Sequence, residues 1–405
     1  MSKAEDKIQD HIITIEKVVY GGKGLSRDLE QVVFVPYTLP GEKVRVQIRK
    51  RHRDYLEADP TEIVEPSPNR VPPDCRYYGR CGGCQMSHAS YKTQIEMKLG
   101  MLKEALQRNK ISFPSDIQVI TGPPFGYRHR AQLKLDSRGG RIGFYETESN
   151  QIVDIKECLC LTPALNKFIQ NIRSLLIGTT TQVSEVHCYE NDSGETAAYF
   201  NAPLPEEIRN RLSKTTLILD SNDTPFKFRF RDAEFPMHPD FFLQVNPKLF
   251  REMVQEVEGH YKKSDRTAAE LYCGTGFFTV PLSRLFQKIY ACEENPKAID
   301  YAREHFQDPK IEWINKKAEA MRFPQETSVL IADPPRAGLK KSIIDSILIH
   351  SFESISYISC DAASFSRDLK LLSPEYRLER ITLIDLFPQT YHFETIAKLN
   401  RSAVK

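Results

Sequence analysis

Apolar and polar residues alternate along the first part of the chain, from about Ile8 to Glu65. Turn signals interrupt the pattern at Tyr20-Gly21-Gly22-Lys23-Gly24 and at Leu39-Pro40-Gly41-Glu42, which predicts a small all-β barrel. Pro66, Pro68, Pro72 and Pro73 then mark a linker. The periodicity changes to helical over 90–109, with Ile95, Leu99, Leu102 and Leu106 on one face. From Arg128 to about Phe235, strand-like runs alternate with helical patterns at 162–176 and 205–212, predicting a central α+β region. Beyond it short apolar runs at 268–272, 288–292, 328–332 and before Cys360 read as strands of an open α/β sheet. The predicted architecture is therefore a barrel over 1–66, a central domain over 67–238 and an α/β domain over 239–405. A length of 405 residues fits two or three domains of about 150 residues each.

Chemistry-bearing residues collect where the apolar runs end. The first run meets a Gly-x-Gly turn, Gly274 and Gly276, followed by a helical pattern over 281–286. The second ends in Glu293, where the carboxylate of a nucleotide-binding α/β fold would meet a ribose diol. The third runs into Asp333-Pro334-Pro335-Arg336, and the two prolines hold Asp333 in an extended turn. The fourth delivers Cys360 to the start of a predicted helix. There the helix N-terminus, with Arg367 about two turns on, is expected to lower the thiol pKa and yield a nucleophilic thiolate. A last extended run carries His392 and Glu394, two apart and so on one side of a strand.

The front of the chain holds a separate constellation. Cys75, Cys81 and Cys84 are spaced by five and two intervening residues, and Cys158 follows, with Cys160 as a rival fourth ligand. Four thiolates suit zinc or an iron–sulfur cluster, and Gly82 and Gly83 are expected to leave room for amides to approach inorganic sulfide. An odd total of nine cysteines and no opening apolar signal segment argue against a disulfide framework, so a reducing, cytoplasmic setting is expected. No apolar run approaches a membrane span. The net charge of +2 is uninformative, but its distribution is not. Lys43, Arg45, Arg49, Lys50, Arg51 and Arg53 form one basic run, and Arg128, Arg130, Lys134, Arg138 and Arg141 form another around Tyr127 and His129. Basic patches with aromatics suit RNA phosphates and bases.

These motifs, read together, resemble the uracil-5 RNA methyltransferase family. Its Asp-Pro-x-Arg-x-Gly element reads Asp333-Pro334-Pro335-Arg336-Ala337-Gly338 here. Its nucleophile turn reads Ser359-Cys360-Asp361-Ala362, and its base motif reads Phe387-Pro388-Gln389-Thr390-Tyr391-His392-Phe393-Glu394. The Phe-x-Gln-Val-Asn segment is matched by Phe242-Leu243-Gln244-Val245-Asn246. The front barrel is similar to the TRAM domain, an OB-like RNA-binding module. The resemblance implies a Rossmann-like domain that binds S-adenosylmethionine through Gln244, Tyr272, Gly274, Gly276, Glu293 and Asp333. It implies Cys360 as the nucleophile that adds to uracil C6 and Glu394 as the base that removes the C5 proton, with His392 as a substitute. It also implies a four-iron, four-sulfur cluster on Cys75, Cys81, Cys84 and Cys158.

Members with both barrel and cluster usually modify ribosomal RNA, so 23S rRNA is the expected substrate and tRNA the alternative. The protein is expected to act as a monomer without an obligate protein partner or a membrane. Four positions depart from the family: Asp361-Ala362 in place of Asn-Pro, Phe277 where some members have a donor-contacting Asn, and Lys317 near the adenine position. Asp361, Ala362 and Lys317 keep a non-enzymatic RNA-binding or assembly factor that has lost activity as a second class. Arg336 stands where cytosine-5 enzymes carry a cysteine, and the Cys-x5-Cys-x2-Cys spacing is not that of a radical methylthiotransferase.

Overall fold

The computed structural model describes residues 10–220, 226–264 and 266–402, so Ile8, the predicted barrel start, lies outside the described residues. The chain divides into two compact units. The first takes residues up to Lys103 together with 145–151 and 387–392. It opens with β1 (Asp10–Thr14), β2 (Lys17–Val18), β3 (Lys23–Ser26), β4 (Val32–Pro36), β5 (Lys43–Arg51) and β6 (Tyr55–Glu65), in the order β1-β5-β6-β4-β3-β2. Alternate residues point inward, so Ile13, Val33, Val35, Val44, Val46 and Leu56 form one buried cluster, as the sequence pattern predicts.

The predicted RNA-facing basic run behaves differently from expectation. Register across the β5–β6 ladder sets acids against it: Lys43 meets Glu65 at 2.8 Å and Arg45 meets Glu62 at 3.0 Å. Arg49 meets Glu57 at 3.0 Å and Glu148 at 2.7 Å. The exposed cations at the hairpin end are Lys50, Arg51 and Arg53, beside the stacked rings of His52 and Tyr55.

Helix α1 (Tyr91–Arg108) matches the predicted one, but its buried stripe is rotated. Gln94, Met97, Lys98, Met101 and Leu102 are buried, whereas Ile95 and Leu99 are half-buried. Two polar residues displace apolar ones from the inner face because they bond the segment 387–392, as described below.

The second unit contains β7 (Gln118–Ile120), β8 (Arg130–Asp136), β9 (Arg141–Tyr145, its last residue in the first unit) and β10 (Ile152–Asp154). These are followed by α2 (Pro163–Leu176), β11 (Glu185–Glu190), β12 (Thr196–Phe200), α3 (Glu206–Leu212) and β13 (Leu217–Leu219). A sheet of order β10-β9-β8-β11-β12-β13 packs against α2, whose Thr162 cap and Pro163 start it where predicted. The second basic stretch is largely engaged within this unit. Lys134 pairs with Glu185, Arg141 with Asp136 at 2.8 Å, and Arg130 sits over the Phe242 ring at 5.0 Å. A hairpin of β14 (Phe226–Phe230) and β15 (Ala233–Met237) and helix α4 (Phe250–Glu258) lead into the last sheet.

That sheet is built from β16 (Thr267–Leu271), α5 (Thr279–Leu282), β17 (Lys288–Glu293), α6 (Pro296–His305), β18 (Ile311–Asn315), β19 (Thr327–Ala332), α7 (Lys341–His350), β20 (Ser354–Ser359), α8 (Ala362–Leu372), β21 (Tyr376–Ile384) and β22 (Glu394–Arg401). Its order is β18-β17-β16-β19-β20-β22-β21-β7. Strands β16 to β20 are parallel to one another, and β22 enters antiparallel between β20 and β21. β16 and β20 are buried along their whole length, which explains their continuous apolar runs. Strand order reverses between β16 and β19, so the carboxyl edge there opens a crevice. After the glycine turn the helix is shorter and earlier than predicted, running Thr279–Leu282 and tightening into a 3-10 turn at Ser283–Leu285.

Candidate active site

Strand β16 ends at Leu271, and the chain turns through Tyr272, Gly274 and Gly276, all in left-handed backbone (φ 63°, 55° and 93°). A Cβ added at Gly276 would stand 2.6 Å from the Trp313 ring, so packing demands glycine there. At Gly274 a Cβ would meet nothing within 4 Å, so the turn faces open space. The Gly274 N–H donates to Glu293 Oε2 at 3.1 Å, and the Asn295 N–H donates to Oε1 at 2.9 Å. Asn295 caps α6, so helix start and carboxylate are fixed together. Tyr272 and Glu293 line a cavity of about 530 Å³ with Lys316, Ala318, Leu339 and Lys340. Its size and position suit a nucleoside-bearing ligand.

The third and fourth strand ends converge on the fifth. β20 and β22 pair antiparallel from Ser354↔Asn400 to Ser359↔Thr395, and the next step of that register sets Cys360 across from Glu394. Asp361 caps α8, accepting from the Ser364 N–H at 2.8 Å, so the aspartate performs the capping that asparagine would. Glu394 is 3 % exposed, and its Oε2 has no hydrogen-bond partner among the described residues. Burial, then the charge of Asp333, raises its pKa well above the carboxylate range, while Arg336 pulls it back. Burial raises Asp333 to about 7.

The Cys360 thiol departs from expectation. Burial first, and then the charges of Glu394 and Asp333, push it up to about 12, against the pull of Arg336. Arg367, expected to help the thiolate, is turned away: it bonds Asp368 at 2.9 Å and the Ala337 carbonyl at 2.8 Å. Helix-start placement alone therefore does not produce a thiolate in this site. Two groups that sequence reasoning passed over also belong here. Arg336 is the cation acting on both Cys360 and Glu394, and its position directly after Asp333-Pro334-Pro335 is the signal that could have found it. Glu270, fully inside β16, accepts from the Thr279 hydroxyl at 2.7 Å, and its pKa is raised to about 8 by burial.

His392 does not share a strand face with Glu394, because β22 begins only at Glu394. Its ring instead packs among Tyr391 (centroids 4.0 Å apart), Phe387 (6.0 Å) and Tyr20 (6.5 Å), in a half-buried aromatic group. Gln244 is buried, next to Asn246, whose Nδ2 donates to the Leu386 carbonyl at 3.4 Å. Phe277 points into an aromatic cluster with Phe250 (4.9 Å), Phe230 and Phe235 (each 5.9 Å), so this departure fills a core.

The expected iron–sulfur site is not formed. Among the described residues no group of three or more His, Cys, Asp or Glu side chains is placed to hold a metal ion. The Gly82 N–H, expected to face sulfide, donates to the Tyr145 carbonyl at 2.9 Å. Cys81 forms a strand bridge with Glu146, and a Cβ on Gly83 would touch Cys81 Sγ at 3.5 Å, so the loop is closed on itself. The Cys158 thiol is engaged with Cys160, and its pKa is raised first by that bond and then by burial. The cluster assigned to Cys75, Cys81, Cys84 and Cys158, and the iron–sulfur cofactor with it, is thus corrected.

Comparison with known proteins agrees with the fold. The family described as tRNA (Uracil-5-)-methyltransferase matches residues 204–318 and 316–402, and the TRAM domain matches 12–61. An uncharacterized RNA methyltransferase of Aquifex aeolicus is 33% identical, covering 96% of this chain and 97% of its own. A 23S rRNA (uracil(1939)-C(5))-methyltransferase RlmD of Marinomonas sp. is 29% identical over 96% of this chain and 94% of its own. The solved Pyrococcus abyssi tRNA (uracil-54, C5)-methyltransferase, bound to S-adenosyl-L-homocysteine, superposes with a TM-score of 0.75 at 23% identity. It covers 96% of this chain and 100% of its own, and shows that the fold is shared. The chain belongs to the RNA uracil-5-methyltransferase family, as a TRAM-containing member. It is an S-adenosylmethionine-dependent enzyme that acts on RNA, which removes the assembly-factor reading. No helix among the described residues is long and apolar enough to cross a membrane.

Proposed function

We propose that this enzyme methylates uridine at C5 through a covalent adduct, with Cys360 as nucleophile and Glu394 as base. The observation that carries this is the β20–β22 register, which sets the two side chains across one ladder with Asp333 and Arg336 acting on both. C5 of uracil is a weak nucleophile, and addition of the Cys360 sulfur at C6 makes it an enolate carbon. The donor supplies an electrophilic sulfonium methyl. Gln244, Tyr272, Gly274, Gly276, Glu293 and Asp333 are the residues we assign to hold it; the cavity at Tyr272 and Glu293 and the open space at Gly274 fit such a group. Glu394 then takes the C5 proton, the electron pair forms the C5–C6 double bond, and the C6–S bond breaks to return the thiolate. Asp333 beside this pair is suited to the uracil edge as well as to the donor.

In the Glu293→Ala variant the donor dissociation constant should rise about tenfold or more by calorimetry, with the fold retained, since one half-buried charged hydrogen-bonding group is lost. An unchanged constant would remove Glu293 from the donor site.

For the RNA, the rRNA expectation leaned on a cluster that is not present among the described residues. We therefore put tRNA first, in line with the description of the family that matches the catalytic half. The 23S rRNA reading stays second, supported by relatives such as those of Marinomonas and Photorhabdus. The barrel and the central domain would serve RNA binding, in a division at 1–66, 67–238 and 239–405. Mapping 5-methyluridine in tRNA and 23S rRNA from cells with and without the protein tests this directly. Loss of one tRNA site is expected, loss of a 23S site alone would reverse the order, and loss of neither would end both readings.

A further inference from the structure

The six residues before Phe393 and Glu394 are held far more tightly than a strand connection requires. Residues 387–392 leave the last sheet and belong to the first compact unit. There the Gln85 and Met86 N–H groups both donate to the Gln389 carbonyl, at 3.0 and 2.9 Å. The Gln389 N–H donates to Gln94 Oε1 at 3.0 Å, and Gln94 Nε2 donates to Gln389 Oε1 and to the Ala89 carbonyl, each at 3.0 Å. Lys98 Nζ donates to the Phe387 carbonyl at 3.0 Å. Thr390 Oγ1 closes the turn by donating to the Phe387 carbonyl at 2.9 Å and accepting from the His392 N–H at 3.1 Å. The Tyr391 ring packs edge-on against Tyr20 at 5.3 Å.

Two features show that this arrangement is imposed on the chain. Gln389 adopts φ 71°, a left-handed conformation that a side chain disfavours and that persists only when neighbours over-determine it. Gln94 and Lys98 occupy the buried face of α1, at 1% and 0% exposure, a setting that apolar residues ordinarily fill. A lysine buried to that degree is costly and needs a reason. The chain leaves this clamp at His392, and Glu394 follows two residues later in the sequence.

We propose that Gln94 and Lys98 are positioning residues for the base: they fix the segment from which Glu394 emerges, so that its carboxylate reaches the C5 proton of the methylated adduct. The inference rests on the covalent reading above. Adduct formation and methyl transfer depend on Cys360 and the donor, whereas release depends on the placement of Glu394. A fault in the clamp should therefore slow one step selectively.

Single-turnover assays on the full chain with its RNA substrate, following methyl transfer and the protein–RNA adduct on denaturing gels, test this. Gln94→Leu keeps size and loses the bonds. It should transfer methyl at close to the wild-type rate, slow release about 100-fold, as for a misplaced catalytic group, and accumulate adduct. Lys98→Met should act in the same direction, and Gln94→Glu, which keeps the acceptor for the Gln389 N–H, should restore part of the release rate. Gln389→Gly, which suits the left-handed backbone and keeps its main-chain bonds, should release nearly as the wild type does. Glu394→Gln serves as the reference. If it fails to accumulate adduct, the base reading falls. If it accumulates adduct and Gln94→Leu does not, the positioning role falls. Equal slowing of transfer and release, or loss of folding in all the α1 variants as judged by donor binding, would assign these contacts to stability and overturn the proposal.

Discussion

Replacement of Cys360 by alanine should reduce methylation by roughly four orders of magnitude or more, the scale on which loss of a covalent nucleophile is felt. Donor binding should survive, because the cavity at Tyr272 and Glu293 is built by other strand ends. A 5-fluorouridine substrate should trap wild-type enzyme as a stable adduct, since fluorine cannot leave as a cation, and should leave the alanine variant uncoupled. Substantial methylation by that variant would refute the nucleophile. The raised thiol pKa adds a sign. At about 12 the group is protonated at neutral pH, so the thiolate fraction, and with it the rate of adduct formation, should rise with pH through the neutral and mildly alkaline range. Arg336 pulls the pKa the other way. Arg336→Gln should shift the profile further alkaline, and a profile independent of pH in both proteins would contradict this.

Glu394→Gln should transfer methyl and then stall, with release slowed about 100- to 10,000-fold, the usual range for a general base. Protein carrying methylated RNA should accumulate on a denaturing gel, and rapid multiple turnover would exclude the role. The same variant should melt at a higher temperature than the wild type at neutral pH. A buried carboxyl with a raised folded pKa binds its proton more tightly folded than unfolded. It therefore weakens folding as pH rises from the unfolded pKa near 4.5 up to the folded pKa, above which the loss is complete. Glutamine has no such titration. The gap in melting temperature should widen across that window, and a gap that closes with rising pH would reverse the sign.

The parts of this protein that were legible in its sequence are those written in short-range pattern. Barrel strands alternate because one face is buried, and parallel strands are continuous apolar runs because both faces are. The candidate site stands at strand ends, so Gly274, Gly276, Glu293, Asp333, Cys360 and Glu394 could all be singled out as candidates. What escaped depends on register and packing. The acids of β6 that neutralise Lys43, Arg45 and Arg49 face them across a ladder with shifts in its pairing. The thiol of Cys360 was read from its helix start and from Arg367, but burial and two carboxyl neighbours outweigh both. Cysteine spacing cannot say whether the thiols converge, and the Gly82 amide was already committed to a strand-like bond. Gln94 and Lys98 look like ordinary polar helix positions until their partners, nearly 300 residues away, are known.

The place of β22 between two strands limits which sequence changes this enzyme can survive. Side chains on a strand alternate between faces, so removing a single residue within Glu394–Arg401 would turn every later side chain over against β20 and β21. The same deletion in one of the parallel strands would turn its later side chains over as well, and there both faces are packed. An insertion just before Glu394 would leave the ladder intact and lengthen the tether behind the carboxylate. Natural variation in length should therefore gather at the amino ends of β16 to β20 and avoid β22 and the span from Phe387 to Glu394.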